Sequence, residues 1–312
     1  MGGSGGTYSS RPASPERVSA LVEQANQEAD EATYESEVNQ TLREALLEYN
    51  DRDIEGVRRH LDAVKNALEA EGDGVIELRY GGSVRKHTYV NGLSDVDVLA
   101  LLDGNGLANM SPQAVIKEFA ARLGKRFPDT DITPGKLAVT IRYADGVELQ
   151  VLPALRTATG LRIARSVGEG WSNVVRPDAF ARKLTSVNEA RGGRMVSTIK
   201  LFKAMFEANC PPEMKISGYH AESLAIEAFE GYSGSLAGKE MLHHLCRSAA
   251  NLVQNPIRDR TGQSLHVDDY LGAVGSQTRR AMAAHLERLT KRIESANRAN
   301  DADAWQEFFD VN

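Results

Sequence analysis

The sequence predicts an α+β protein of two lobes, a mixed sheet domain followed by a helical domain. Short apolar runs between glycine and asparagine turns occur in the first half, whereas helical spacing of apolar residues dominates from Pro177 onward. A chain of 312 residues is long enough for two hydrophobic cores. The predicted divisions are a flexible tail with the start of an N-terminal helix over 1–36, a sheet core over 37–170 and a helical domain over 171–312.

Composition and charge limit the kinds of molecule that the protein is expected to bind. The sequence is 41% hydrophobic and 26% charged, and no apolar run approaches the roughly 18 residues of a membrane span. We therefore expect a cytoplasmic protein with no membrane partner. The net charge of -6 argues against duplex DNA as the main partner, because that affinity needs many lysine and arginine contacts, but it leaves small nucleotides open.

Helical patterns begin near the amino terminus. The stretch up to about Pro15 is expected to be flexible, and its first six residues are left out of the fold prediction. Apolar positions at steps of three and four over 37–70 predict one long amphipathic helix or two in succession, ending at Gly72-Asp73-Gly74. Ser111 as N-cap and Pro112 as first helical residue predict a further helix that ends near Arg126.

Four segments have the spacing and flanking turns of short strands, and they close a small mixed sheet domain near residue 165. Gly81-Gly82-Ser83 and Asn91-Gly92 supply turns around the first two, and Asp145-Gly146 joins the last two as a hairpin that ends at Pro153. The predicted strands are 75–80, the apolar run opening with Asp95-Val96-Asp97, 138–143 and 147–152.

The second half shows helical spacing with almost no strand signal. The predicted helices are 195–206, 222–229, 239–253, 276–296 and 303–309.

The most informative motif joins a glycine turn to a pair of carboxylates. Asp95 and Asp97 stand at i and i+2 on a predicted strand, so both project to one face and can hold divalent metal. The turn Gly81-Gly82-Ser83 enters a helix and offers backbone N–H groups to phosphate, with Lys86 close behind. Two metal ions held in this way promote in-line displacement at phosphorus.

Each half of this motif occurs by chance in many proteins, as an ordinary turn or an isolated Asp-x-Asp. The combination is more specific, because Asp95 and Asp97 open an otherwise apolar strand where buried carboxylates are costly without metal or partners. The residues alone therefore predict metal-dependent nucleotidyl transfer in a cleft between a sheet lobe and a helical lobe.

The segment GGSVRKHTYVNGLSDVDVLALL resembles the signature of the DNA polymerase β-like nucleotidyltransferase superfamily. It is most similar to the branch that holds 2′,5′-oligoadenylate synthetases, cyclic GMP-AMP synthase and the bacterial cGAS/DncV-like enzymes called CD-NTases. The segments SGYHAESLAIEAF and DRTGQSLHVDDYLG also resemble the bacterial members, and Val151-Leu152-Pro153-Ala154 looks like the second sheet motif of the family. The resemblance covers about residues 38–310 and implies that 37–170 is the nucleotidyltransferase core.

The resemblance implies roles for several residues. Gly82 and Ser83 would hold the β- and γ-phosphates of ATP or another NTP or dNTP, and Asp95 and Asp97 would ligate two Mg²⁺ ions, for which Mn²⁺ can substitute. The remaining residues implied to bind nucleotide are Lys86, Lys200 and Lys203 for phosphate and Tyr219 for the base. Without the resemblance, Lys200 and Lys203 would be interpreted as part of a solvated helix face, and Tyr219 as a packing residue.

The sequence departs from the family pattern at the third carboxylate, where it has Gln150. A neutral amide offers a carbonyl oxygen to Mg²⁺ but supplies no charge and no base. Glu148 lies two residues earlier on the same predicted strand face and is the candidate substitute, although an exposed strand residue is an equal interpretation. Gln150 therefore marks a natural subgroup with an altered site, a catalytically silent homologue or an engineered inactive variant, and we favour the first.

The function implied is that of an enzyme, a nucleotidyltransferase that makes a cyclic di- or trinucleotide second messenger, which acts on an effector in antiphage (CBASS-type) signalling. Two alternatives stay open. One is template-independent synthesis of linear oligonucleotides, including single-stranded DNA, with a protein hydroxyl as one conceivable primer. The other is a silent nucleotide-binding homologue, because of Gln150.

Overall fold

The computed structural model describes residues 15–51, 53–69, 76–91, 95–102, 106–165, 168–262 and 264–309. The tail before Pro15, the Gly72-Asp73-Gly74 stretch and Gly92 of the predicted Asn91-Gly92 turn lie outside these residues. None of the described helices is both long enough and apolar enough to cross a membrane.

Two helices precede the sheet, α1 (Pro15–Asn50) and α2 (Ile54–Glu69), which confirms the second of the two predicted arrangements. Asp53 starts α2, because its carboxylate accepts a hydrogen bond from the Gly56 backbone N–H at 2.7 Å. The helix α1 begins at Pro15, inside the 1–36 stretch predicted to hold the start of an N-terminal helix and well before the apolar pattern over 37–70.

The sheet lobe alternates strands with short and long helices. Its remaining elements are β1 (Ile76–Tyr80), α3 (Gly82–Arg85), β2 (Val96–Leu102), α4 (Pro112–Arg126), β3 (Asp131–Pro134), β4 (Val139–Arg142), β5 (Glu148–Arg156) and β6 (Leu161–Ile163). Ser111 caps α4 as predicted, accepting a hydrogen bond from the Ala114 N–H at 3.2 Å.

Among the described residues the strands form one sheet in the order β1-β2-β5-β4-β3, and β6 pairs with the far end of β5. The strands β2 and β5 are parallel, and the other pairs are antiparallel. The predicted end of the hairpin at Pro153 is wrong, because β5 continues to Arg156. Pro153 lies opposite Ala100 of β2 and between the segments of β5 that pair with β4 and with β6, so on that second side no partner strand needs its missing N–H.

The helical lobe contains α5 (Pro177–Glu189), α6 (Arg194–Asn209), α7 (Gly218–Phe229), α8 (Gly238–Leu252), α9 (Gln277–Ala299) and α10 (Asp303–Glu307). The five predicted helices are confirmed with small shifts of their ends. The helix α5 and the strands β3 and β6 were not predicted; both strands are short, and β3 is mostly exposed, so neither carries a clear apolar alternation.

Each lobe has its own hydrophobic core. One core lies between the sheet and the helices α2 and α4, and the other lies among the helices from α5 to α10. The long helix α1 contributes Tyr34, Val38 and Leu42 to the helical core, although it precedes the sheet in the chain. The lobes meet where α3 contacts α7, beside a cleft on the open face of the sheet.

Candidate active site

The two predicted metal ligands lie at the start of β2 on the cleft side. Alternation along the strand buries Val96 and Val98 in the core of the sheet lobe and turns Asp97 and Leu99 to the opposite face. Asp95 precedes the strand and is exposed, whereas Asp97 is partly buried. The strand therefore places two carboxylates at the edge of the cleft.

The glycine turn packs directly on Asp97. The Gly81 backbone N–H donates a hydrogen bond of 2.8 Å to the Asp97 carbonyl oxygen. Gly82 has a φ of 43°, and a Cβ atom at this position would overlap the Asp97 carboxylate. Ser83 follows as a buried residue of α3. The turn predicted to hold phosphate and the acid predicted to hold metal are thus in contact.

Burial makes both carboxylates harder to ionise. It raises the pKa of Asp97 to about 6, opposed by the charge of Lys86 and reinforced by Asp95. Asp95 is more exposed, but partial desolvation of its carboxylate and the charge of Glu148 also raise its pKa. A divalent cation between these carboxylates would stabilise their ionised forms and reverse both shifts.

The carboxylates of Asp95 and Asp97 suit a hard cation such as Mg²⁺ whose remaining coordination positions are filled by water and substrate. Among the described residues, no group of three or more His, Cys, Asp or Glu side chains is arranged to hold a metal ion. Mg²⁺ is commonly bound by one or two carboxylates and fills its shell with water and substrate phosphates. Asp95 and Asp97 supply this number of carboxylates, next to the turn predicted to hold phosphate.

Gln150 occupies the position across from the acidic pair. It lies opposite Asp97 in the parallel register of β2 and β5, and its Nε2 donates a hydrogen bond of 2.5 Å to Asp95 Oδ2. The amide therefore gives a hydrogen bond to a carboxylate at the point where the family pattern has a third acid. It takes over part of the stabilisation that a cation would provide.

Glu148 lies on the same face of β5 as Gln150, two residues earlier, as predicted from strand alternation. Its carboxylate forms an ion pair of 2.8 Å with Arg142, which also contacts Asp131 at 3.1 Å. Glu148 thus contributes negative charge near Asp95 while its own carboxylate is held by a cation of the neighbouring strand.

Lys86 and Lys203 meet at a carboxylate that joins the two lobes. Glu222 is fully buried and accepts hydrogen bonds from Lys86, from the Thr88 hydroxyl and, at 3.3 Å, from Lys203. Lys203 also donates to the Thr88 carbonyl oxygen at 3.0 Å. Burial lowers the pKa of Lys203, and Glu222 opposes that shift. Lys86 and Lys203 are therefore close enough to Asp97 for their charges to oppose the rise in its pKa.

Lys200 lies apart from this cluster, although it is one turn of α6 away from Lys203. It hydrogen-bonds Asn50 at the end of α1 and lines a different cavity with Tyr49 and Tyr89. The structure therefore brings together Lys86 and Lys203 of the three predicted lysines, and the role of Lys200 in phosphate binding stays a prediction.

The cleft between the lobes contains a cavity of about 200 Å³. Gly82, Lys86 and Asp97 contribute polar groups to its lining, while Leu152 and Phe180 give it apolar walls. A largely apolar cavity with a few polar groups has the character of a small-molecule site.

Tyr219 lines this cavity as part of α7. Its hydroxyl donates a hydrogen bond of 2.6 Å to Asp259, and its ring packs edge-on against Phe180 with 4.6 Å between centroids. These contacts fix the orientation of the ring. The predicted stacking of a base on Tyr219 stays a prediction.

Two residues of the site were not found from the sequence. Glu222 had one available signal, a carboxylate inside the apolar run of α7, which is costly to bury unless cations are near. No sequence signal pointed to Phe180, because the helix that carries it was not predicted.

No protein-family model matches the sequence, and no curated protein matches it by sequence. Solved structures do match the fold. The Bradyrhizobium diazoefficiens CD-NTase CdnG in complex with GTP has a TM-score of 0.70 at 16% identity, over 88% of this chain and 95% of that chain. Escherichia coli MS115-1 CdnC with ATP has a TM-score of 0.67 at 16% identity, over 87% and 97%. Escherichia coli DncV in its 3′-deoxy GTP bound form has a TM-score of 0.62 at 14% identity, over 96% and 91%.

These likenesses show that the chain has the fold of the bacterial CD-NTases. They confirm the predicted two-lobed α+β architecture of the polymerase β type. At 14–16% identity the likeness concerns the fold, so function has to be argued from the site itself.

Proposed function

We propose that the protein is a nucleotidyltransferase that joins nucleoside triphosphates into a cyclic di- or trinucleotide. The observation that carries this proposal is the contact between the Gly82 turn and Asp97 in the cleft, because it brings the turn proposed to hold phosphate next to a carboxylate proposed to hold metal. The fold supports it, because structures that share the fold hold ATP or GTP.

The residues of the chain position the reactants. Asp95 and Asp97 would hold Mg²⁺ or Mn²⁺, and the bound cation supplies charge at the α-phosphate and lowers the pKa of the attacking hydroxyl. Gly82 and Ser83 orient the triphosphate through backbone N–H groups, and Lys86 and Lys203 offset its negative charge. Phosphoryl transfer needs little covalent work from the protein, so orientation and charge account for most of the rate.

We further propose that the product is a second messenger that activates an effector protein in antiphage signalling, in the cytoplasm. A cyclic product suits this role because it has no free phosphate ends for phosphatases to attack. Duplex DNA is not expected as an activator, given the net charge of -6.

The test is incubation of the protein with labelled ribo-NTPs and, separately, dNTPs in the presence of Mg²⁺ or Mn²⁺, followed by phosphatase treatment and chromatography. Short phosphatase-resistant material supports the proposal. A ladder of linear products contradicts it and supports template-independent polymerisation instead.

The site carboxylates provide the mutational control. Asp97→Asn removes a charged metal ligand, so we expect product formation to fall at least about 100-fold while the fold is kept, as judged by circular dichroism. Asp62→Asn, at an exposed position on α2, is the matched control and should leave activity unchanged. Retained activity in Asp97→Asn would contradict the mechanism.

A second candidate function is nucleotide binding without catalysis. It is favoured by the hydrogen bond between Gln150 and Asp95, which occupies one acid with an amide. Its signature is nucleotide binding, measured by calorimetry, with no release of pyrophosphate under either metal.

A further inference from the structure

A second concave site adjoins the cleft and carries an excess of positive charge. It is a cavity of about 320 Å³ between the far end of the sheet and the start of α5. We call it the arginine pocket. Its arginines are Arg79, Arg85, Arg156, Arg176 and Arg182.

Few carboxylates offset this charge. Glu77 contacts Arg79 at 2.6 Å and Arg156 at 2.5 Å, and Asp178 contacts Arg85 at 2.6 Å. Among the described residues, two carboxylates thus contact three of the five arginines, in a protein whose net charge is -6. Such a local concentration of guanidinium groups in an acidic protein favours the binding of an anionic ligand.

Arg176 and Arg182 are the arginines available to that ligand. Both are exposed, and within the described part of the chain neither side chain forms a hydrogen bond or an ion pair. They lie at the start of α5 and on its next turn, where the partial positive charge of a helix amino terminus also favours an anion. Phosphate suits this arrangement, because planar guanidinium groups bind its oxygens in pairs.

The arginine pocket is continuous with the cleft. Arg85, Leu99 and Pro177 line both cavities. Asp97, Leu99 and Leu101 follow one another on the same face of β2, with Asp97 in the cleft and Leu101 in the pocket. At about 3.3 Å per residue, four residues of strand separate the catalytic end from the pocket by roughly 13 Å. One ligand can therefore extend from the carboxylates in the cleft to the arginine pocket.

We propose that the arginine pocket binds the 5′-phosphates of the acceptor strand, the linear nucleotide whose hydroxyl lies at Asp95 and Asp97. This inference rests on the proposed function and names a second point of contact for its substrate. While an incoming triphosphate occupies the glycine turn, the 5′-triphosphate of the acceptor needs a separate basic site, and it moves to the turn only for ring closure. The arginine pocket provides one on the same face of the sheet.

The test compares binding of the 5′-triphosphorylated dinucleotide pppApA with binding of unphosphorylated ApA, without divalent metal, by fluorescence anisotropy of labelled ligands. The pocket variant is Arg176→Gln with Arg182→Gln. The matched control is Arg247→Gln with Arg298→Gln, which removes the same charge from exposed positions on α8 and α9.

We expect the unsubstituted protein and the control to bind pppApA at least tenfold more tightly than ApA. The pocket variant should lose most of that difference, since the glycine turn is expected to hold a triphosphate tightly only with divalent metal, while its binding of ApA is unchanged. Equal preference for pppApA in the pocket variant overturns the inference. Inorganic tripolyphosphate that binds the pocket as tightly as pppApA also overturns it, because the site would then recognise a free anion rather than an acceptor strand.

Failure of this inference is distinguishable from failure of the proposed function. The binding assay needs neither metal nor turnover, so a protein that makes no product still reveals the pocket through the loss of phosphate-dependent binding. An active enzyme whose pocket variant binds pppApA normally overturns the inference alone.

Discussion

Single residues set the geometry of the proposed phosphate and metal positions. Gly82 is in the left-handed region, and a side chain there would meet the Asp97 carboxylate, whereas a Cβ at Gly81 would lie 3.5 Å from its nearest neighbour, Leu99. The two adjacent glycines therefore differ in the side chains they tolerate. Only glycine fits at position 82, because the Asp97 carboxylate lies so close, whereas position 81 has room for a methyl group.

This difference gives a matched pair of variants. Gly82→Ala should displace the Asp97 carboxylate and lower nucleotidyl transfer by at least about 100-fold, because charge at the reacting phosphate is then misplaced. Gly81→Ala should keep most of the activity. The measurement is initial rate at saturating NTP. Equal losses in both variants would show that the turn is merely sensitive to substitution.

Gln150 determines how the acidic pair behaves without metal. Gln150→Glu replaces an amide that donates to Asp95 by a third carboxylate of the same size. We expect the free energy of unfolding without divalent metal to fall by about 1 kcal/mol, since a hydrogen bond is replaced by repulsion.

The same variant should gain affinity for metal. Mn²⁺ is expected to raise the melting temperature of Gln150→Glu more than that of the unsubstituted protein, because a third charged ligand is then present. Thermal unfolding with and without Mn²⁺ measures this. Equal stabilisation of both proteins would mean that position 150 does not face the metal.

Individual elements differ in how far the sequence could predict them. The strand β2 and its acids were predictable, because an apolar run opened by two carboxylates has few structural explanations. The strands β3 and β6 were not, since they are stabilised by pairing with distant segments rather than by their own pattern.

The candidate site follows the same rule. Gly82 and Asp97 are local in sequence and could be named, whereas Glu222 lies 136 residues from the lysine that it holds, Lys86. No single-sequence pattern reports a pairing over that distance. The departure at Gln150 was visible in the sequence, but its hydrogen bond to Asp95 was not, because it depends on the register of β2 and β5.

The first turn of α7 contains a histidine whose burial links the stability of the protein to pH. His220 is fully buried, and its Nδ1 lies 2.7 Å from the Tyr270 hydroxyl. Burial lowers its pKa to about 4, opposed by the charge of Asp268 and reinforced by that of Arg279. The folded protein therefore binds this proton only at much lower pH than the unfolded chain does.

The sign of the effect follows from this difference. The unfolded chain takes up the proton near pH 6.5 and the folded protein only near pH 4, so the stability contributed by neutral His220 is complete above 6.5 and is lost as pH falls toward 4. The slope approaches about 1.4 kcal/mol per pH unit in this window. Urea unfolding of the protein and of His220→Gln across the window measures it. If the free energies of unfolding of the two proteins vary with pH in parallel, His220 does not cause this pH dependence.

On the scale of the whole molecule, the site exists because two lobes with separate cores are held together. The helix α1 belongs to the helical core, where the Tyr34 hydroxyl donates to Asn297 at 2.7 Å and accepts from Trp305 at 2.8 Å. Between the lobes, Glu222 of α7 holds Lys86, which directly follows α3 of the sheet lobe. This ion pair is buried, so losing one partner is costly.

Glu222→Gln should therefore leave Lys86 and Lys203 without their shared carboxylate and lower the free energy of unfolding by about 3–5 kcal/mol. Glu227→Gln is the matched control on the same helix, because its carboxylate is 35% exposed and pairs with Arg260 at the surface. That substitution should cost less than about 1 kcal/mol.

The two freed lysines should then respond to an added anion. Tripolyphosphate should raise the melting temperature of Glu222→Gln more than that of the unsubstituted protein, because it neutralises two cations that no longer have their shared carboxylate. Differential scanning calorimetry with and without tripolyphosphate measures this. If the anion stabilises both proteins equally, then Lys86 and Lys203 do not face the phosphate position, and Glu222 serves only to join the lobes.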